Sequence, residues 1–208
     1  MTVLEQLKAH ELDQLDAWLD YSGKETKAFL KQIVAFAKEN IDQLEAYCAQ
    51  VVPTEFSSLS IVYQALSEHS VAYNDLLFKE VKRVVTLAKS NQIKPEYLEV
   101  LTEIETEDIY SKTEDIFVAM VSFMVATLNV QLPPNFNVEL LDVIDWFVID
   151  LDQDDNIPEA QNWIDILTDL AKNADPKTKV KAREVLETMD VDIKFEPLSF
   201  KEKLKRLF

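Results

Sequence analysis

The chain has 208 residues, a net charge of −17, 48% hydrophobic residues and a single glycine. That hydrophobic content is enough for a real core and argues against disorder. The charge argues against binding a nucleic-acid backbone or an anionic membrane through the body of the protein. The glycine count excludes most sheet-rich folds, hairpin turns and phosphate-cradling loops, since an average protein of this length carries roughly fifteen.

Thr2 and Glu5 form the T-x-x-E pattern of a capping box, and Leu4, Leu7, Leu12, Leu15, Trp18 and Leu19 follow at helical spacing. Gly23 stands where a left-handed cap would close this helix. A second helix is expected from about Lys24 to Val51, with Phe29, Ile33, Phe36, Ala37, Ile41, Leu44 and Cys48 on its apolar stripe and Pro53 as its stop. A third spans about Thr54 to Ser67 and a fourth about Val71 to Ser90, with a break near His69-Ser70 left open. Pro95 suits the first turn of a short acidic helix from Glu96 to about Glu105. Residues 103–108, EIETED, read as a loop or a helix end.

The two most apolar helices come next, from about Thr113 to Val130 and from about Val138 to Asp152, the second capped by Asn137. Their short connection, QLPPNFN, predicts a central apolar hairpin near 113–152. Residues 116–132 carry no charge, but their length and flanks suit a buried helix better than a membrane span. Pro158 opens a helix bearing Trp163, Ile164, Leu167 and Leu170. Asp175-Pro176 is an N-cap followed by a first-turn proline, and Val180, Ala182, Val185, Leu186 and Met189 follow. Residues 161–189 resemble one HEAT repeat in this helix, Asp-Pro turn, helix order, although the rest of the chain shows no matching period. VDIKFE, residues 191–196, alternates like a strand, as an extended connector or an unpaired edge. Ser199 and Glu202 make a second capping box for a short helix through Phe208. The expected fold is all-α: a single domain over 1–208 of about eight helices, as an antiparallel bundle or a short array of helical hairpins.

Candidate chemistry is sparse. His10 and His69 lie in no metal-binding motif, and one cysteine cannot build a structural zinc site. Cys48, among apolar neighbours, reads as a core thiol, and no disulfide is available to it. The string Asp150–Asn156 fails the calcium-loop spacing, with Asp155 where the turn needs Gly and Gln161 where a bidentate Glu belongs. No metal site is expected: Glu139, Asp142 and Asp145 share one helix face and read first as the solvent face of a core helix, and as metal candidates, with Glu99 and Glu103 as a second acidic pair, they have no basic residue linked to them by spacing. The C-terminal stretch carries Lys201, Lys203, Lys205 and Arg206 against Glu202 alone, with Phe200, Leu204, Leu207 and Phe208 as its apolar face; three readings compete for it, a final helix docked on the acidic body, a partner-binding helix that enters a groove of another protein, and a weak membrane contact.

The functional expectation is a cytoplasmic, non-enzymatic protein that needs no cofactor and binds a protein partner, basic in one form of the idea, as an adaptor, regulator or inhibitor. The alternative is a metal-dependent all-α hydrolase acting on a diphosphate or nucleotide through the acidic helix face.

Overall fold

The computed structural model describes residues 2–10, 24–54, 57–69, 71–149, 151, 157–191 and 193–195. Among them stand nine α-helices, two 3-10 segments and no strand, so the all-α expectation holds. The helices are α1 (Val3–His10), α2 (Lys24–Gln50), α3 (Leu59–His69), α4 (Asn74–Lys89), α5 (Thr106–Lys112), α6 (Glu114–Thr127), α7 (Pro134–Val148), α8 (Ala160–Asn173) and α9 (Pro176–Thr188), with 3-10 segments at Val71–Tyr73 and Pro95–Glu103. No described helix is long and apolar enough to cross a membrane. The chain forms two compact units, Met1–Phe117 and Val118–Phe208.

In the first unit the capping box forms as its spacing predicts. The Thr2 N–H donates to Glu5 Oε2 at 2.7 Å, and the Glu5 N–H donates to Thr2 Oγ1 at 3.2 Å. The long α2 is interrupted at Asn40, where φ −139° and ψ 40° leave the helical region. The Asn40 amide donates to the Phe36 carbonyl, the local competition with backbone that disfavours Asn inside helices. α3 is the centre of this unit and packs against α2, α4, α5 and the Pro95–Glu103 segment. Its Leu59, Val62, Tyr63, Ala65 and Leu66 are all buried. Each buried leucine or valine among them contributes about 1.5–3 kcal/mol of apolar transfer.

The break near residue 70 is real: α3 ends at His69, and a 3-10 turn precedes α4. The acidic run 103–108 covers the end of the 3-10 segment, a short connection and the first turn of α5, in line with its reading as a loop or a helix end. The Glu105 N–H, at the N-cap, donates to the Ser67 hydroxyl of α3 at 3.0 Å. Ile109 then turns into the core.

In the second unit α7 packs chiefly on α9, and α9 on α8. The start of α7 differs from the expectation. It begins at Pro134, not after Asn137, because proline is pre-set for the first turn. Asn137 is therefore inside the helix and buried, and its amide donates to the Asn129 carbonyl at 2.8 Å, tying α7 to the connection that precedes it. Trp163 is fully buried, and its Nε1 donates to Ser122 Oγ of α6 at 2.9 Å. Asp175 caps α9 as expected, accepting from the Lys177 and Thr178 N–H groups at 2.9 and 3.2 Å.

Two helices close without glycine. Asn91 and Asp190 take φ of 57° and 53°, and the N–H of the following residue reaches back to Leu87 and Leu186 respectively, each at 2.9 Å. Asn and Asp are the non-glycine residues that enter this region most readily, which is how the fold manages with so few glycines. Residues 193–195 form no strand. Phe195 lies beneath the Arg183 guanidinium, 4.7 Å from ring centroid to Cζ. The predicted helix at 199–208, the Gly23 cap and most of the acidic string 150–156 lie outside the described residues.

Candidate functional site

α7 carries the acidic stripe that its sequence spacing predicts, and α9 supplies the counter-ion. Lys181 Nζ lies 2.7 Å from Asp142 Oδ1, 3.0 Å from Asp145 Oδ2 and 3.6 Å from Glu184 Oε2. The Thr188 hydroxyl donates to Asp145 Oδ1 at 2.6 Å. Burial works against the Lys181 ammonium, but hydrogen bonds and charge from Asp142 and Asp145 outweigh it and hold the group above its ordinary range. Glu139 lies half-buried one turn earlier. Glu99 and Glu103 belong to the 3-10 segment of the other unit. No group of three or more His, Cys, Asp or Glu side chains among the described residues is placed to hold a metal ion.

Further along the exposed face of α7 the character changes. Asp142 is followed at helical spacing by Trp146, 43% exposed, and Ile149, 59% exposed. Single exposed apolar residues are ordinary. Here a tryptophan and an isoleucine one turn apart share one exposed face with a carboxylate. Buried aromatic anchors dominate the energetics of protein interfaces. Sequence reasoning placed Trp146 in a buried helix. The Asp142, Trp146, Ile149 spacing was the available signal.

In the first unit α4 places a carboxylate on its own apolar stripe. Glu80 is buried and accepts from three sources. The Tyr63 hydroxyl donates to its Oε2 at 2.7 Å, Arg83 Nε to its Oε1 at 2.9 Å, and Arg83 Nη2 to its Oε2 at 2.7 Å. Arg83 Nη1 also donates to the Val51 carbonyl at 3.1 Å, just beyond α2. The cluster thus joins the end of α2 to α3 and α4. Burial, then the charge of Glu80, pushes the Tyr63 hydroxyl well above its usual value, and the same two causes raise the Cys48 thiol. The cluster is closed, with each member paired, which suits a structural role. Neither Glu80 nor Arg83 is singled out by spacing, although a Glu between Leu77 and Val81 on an apolar stripe was the clue.

A cavity of about 510 Å³ opens beside this cluster. Its walls include Tyr47 and Val51, then Val52, Thr54 and Ser57 from the segment after α2, and Lys8 from α1.

The side chains of His10 and His69, and the predicted partner-binding residues Phe200, Leu204, Leu207 and Phe208, lie outside the described residues. Comparison of the chain with protein-family models, curated proteins and solved structures gives no match.

Proposed function

We propose that this chain is a non-enzymatic, acidic helical protein that binds a protein partner through the exposed end of α7. The observation that supports this is the pairing of Trp146 and Ile149 on one exposed face, with Asp142 at its rim. A fitting partner segment presents an apolar pocket or ridge for the indole and a Lys or Arg for Asp142. The basic tail, with Phe200, Leu204, Leu207 and Phe208, is a second contact element in this proposal. The proposed place of action is the cytoplasm, which fits a chain with a single thiol.

The hydrolase alternative needs Asp142 and Asp145 to face a metal ion. Both instead face the Lys181 ammonium, which occupies the position that a cation between them would take. Paired capture of binding proteins on the wild-type chain and on Trp146→Glu tests the proposal. A partner held by the wild type and lost by the variant supports it, and equal retention by both contradicts it.

A further inference from the structure

The anionic face of α7 carries more charge than its lysine balances. Asp142, Asp145 and Glu184 surround the Lys181 ammonium, three carboxylates against one cation, and the Asp142 and Glu184 side chains are 50% and 46% exposed. Trp146 and Ile149, both exposed, follow Asp142 along α7 and its C-cap. An apolar step beside surplus negative charge fits an occupant with the matching pattern, an apolar face flanked by cations. The α7 face of a second copy does not supply it, since it brings the same carboxylates to the contact.

The chain itself contains such a segment. Residues 199–208, SFKEKLKRLF, carry Lys201, Lys203, Lys205 and Arg206 against Glu202 alone, with Phe200, Leu204 and Leu207 at helical spacing. Its attachment point belongs to the same unit as α7. Phe195 lies against the Arg183 guanidinium of α9, and α9 packs on α7 through Lys181 and Thr188. Packed helices stand about 8–10 Å apart. Residues 196–199 span up to about 13 Å when extended, and ten helical residues span about 15 Å. The segment is therefore long enough to cross from α9 to the exposed face of α7. So short a tether holds it at about millimolar effective concentration, at which a weak contact is enough for occupancy.

We infer that residues 199–208 dock in cis on the exposed end of α7 and occupy, in the free protein, the surface that a partner takes. Phe200, Leu204 and Leu207 face Trp146 and Ile149, while Lys201 and Lys205 face Asp142 and Glu184. A partner binds by displacing the chain's own segment, which lowers its apparent affinity by the fraction of chains left open and frees the basic segment for a contact of its own. This inference rests on the reading of α7 as the contact surface.

The test places a nitroxide on the full chain through Ser199→Cys, since the native Cys48 is fully buried and resists labelling. The readouts are the indole N–H resonance of Trp146, assigned by its loss in Trp146→Phe, and the methyl resonances of Ile149. The expected result is strong broadening of both at low salt, unchanged on dilution. Signal should recover in part as salt is raised, and fully in a labelled chain that also carries Lys201→Glu and Lys205→Glu. Absence of broadening at Trp146 and Ile149 would overturn the inference. So would broadening that the charge reversal leaves in place, or broadening that needs a mixture of labelled chain with isotope-enriched unlabelled chain, the signature of a second copy's tail. A partner captured by the wild type and lost by Trp146→Glu, with no broadening, would leave α7 as the contact surface and remove the docked segment alone.

Discussion

The ammonium of Lys181 lies 3.0 Å from Asp145 although 36 residues separate them in the chain. Asp145 completes its environment with the Thr188 hydroxyl, and Asp142 shares the same lysine. The acidic stripe of α7 is thus a seam that fastens α9, and its carboxylates stabilise the second unit as long as the lysine is present.

Lys181→Met should therefore destabilise the protein by about 2 kcal/mol, because it leaves Asp142, Asp145 and Glu184 facing one another without a counter-ion. Urea unfolding of wild type and variant measures this. A group raised above its unfolded value contributes stability that is complete below the ordinary lysine range and is lost as pH rises through the native value. Lys181 is such a group. Its contribution should be flat through neutral pH and decline only in strong alkali, and the difference between wild type and Lys181→Met should follow that course.

The Glu80 cluster makes a second, stronger prediction. Glu80→Gln removes the charge that balances a largely buried Arg83 and should cost about 3 kcal/mol. Tyr63→Phe removes one hydrogen bond to Glu80 and should cost about 1–2 kcal/mol. The two effects should fall short of additivity in a double-mutant cycle, because both act on one carboxylate. Tyr63 is raised by burial and then by Glu80, so its stabilising contribution is complete below the usual tyrosine range and falls as pH rises above it. In Tyr63→Phe that alkaline decline should be shallower.

Cys48 is fully buried, and its thiol is pushed up by burial and by Glu80. Thiolate is the reactive form. A chromogenic disulfide reagent should therefore leave the native protein unlabelled and react with one thiol per chain once urea unfolds it. Rapid labelling of the native protein would contradict the packing of α2 against α3.

Local signals made most of the helices legible. Thr2 with Glu5, and Asp175 with Pro176, each fix a helix start within four residues, and both starts stand where the sequence places them. The sequence points to Asn137 as the cap of α7, yet the helix starts at Pro134, whose φ is pre-set for a first turn, and Asn137 instead donates to the Asn129 carbonyl. The acidic residues of the stripe were readable from i, i+3 spacing, but the lysine that answers them was not. Lys181 comes from another helix, and nothing in the one-dimensional pattern pairs α7 with α9. The same holds for Glu80, whose partners Tyr63 and Val51 lie on or beside other helices. The exposure of Trp146 was hidden for the opposite reason: in a helix apolar around most of its surface, composition alone does not say which apolar side chain is left outside.

The most direct test of the central claim is the affinity of a captured partner for the wild-type chain and for Trp146→Glu, measured with Asp142→Asn alongside at low and moderate salt. The indole as anchor predicts a loss of at least about 2 kcal/mol in Trp146→Glu. The carboxylate as rim predicts a smaller loss in Asp142→Asn that shrinks as salt is added. Unchanged affinity in Trp146→Glu, with the variant folded as judged by its unfolding curve, would contradict the claim that the exposed end of α7 is the contact surface.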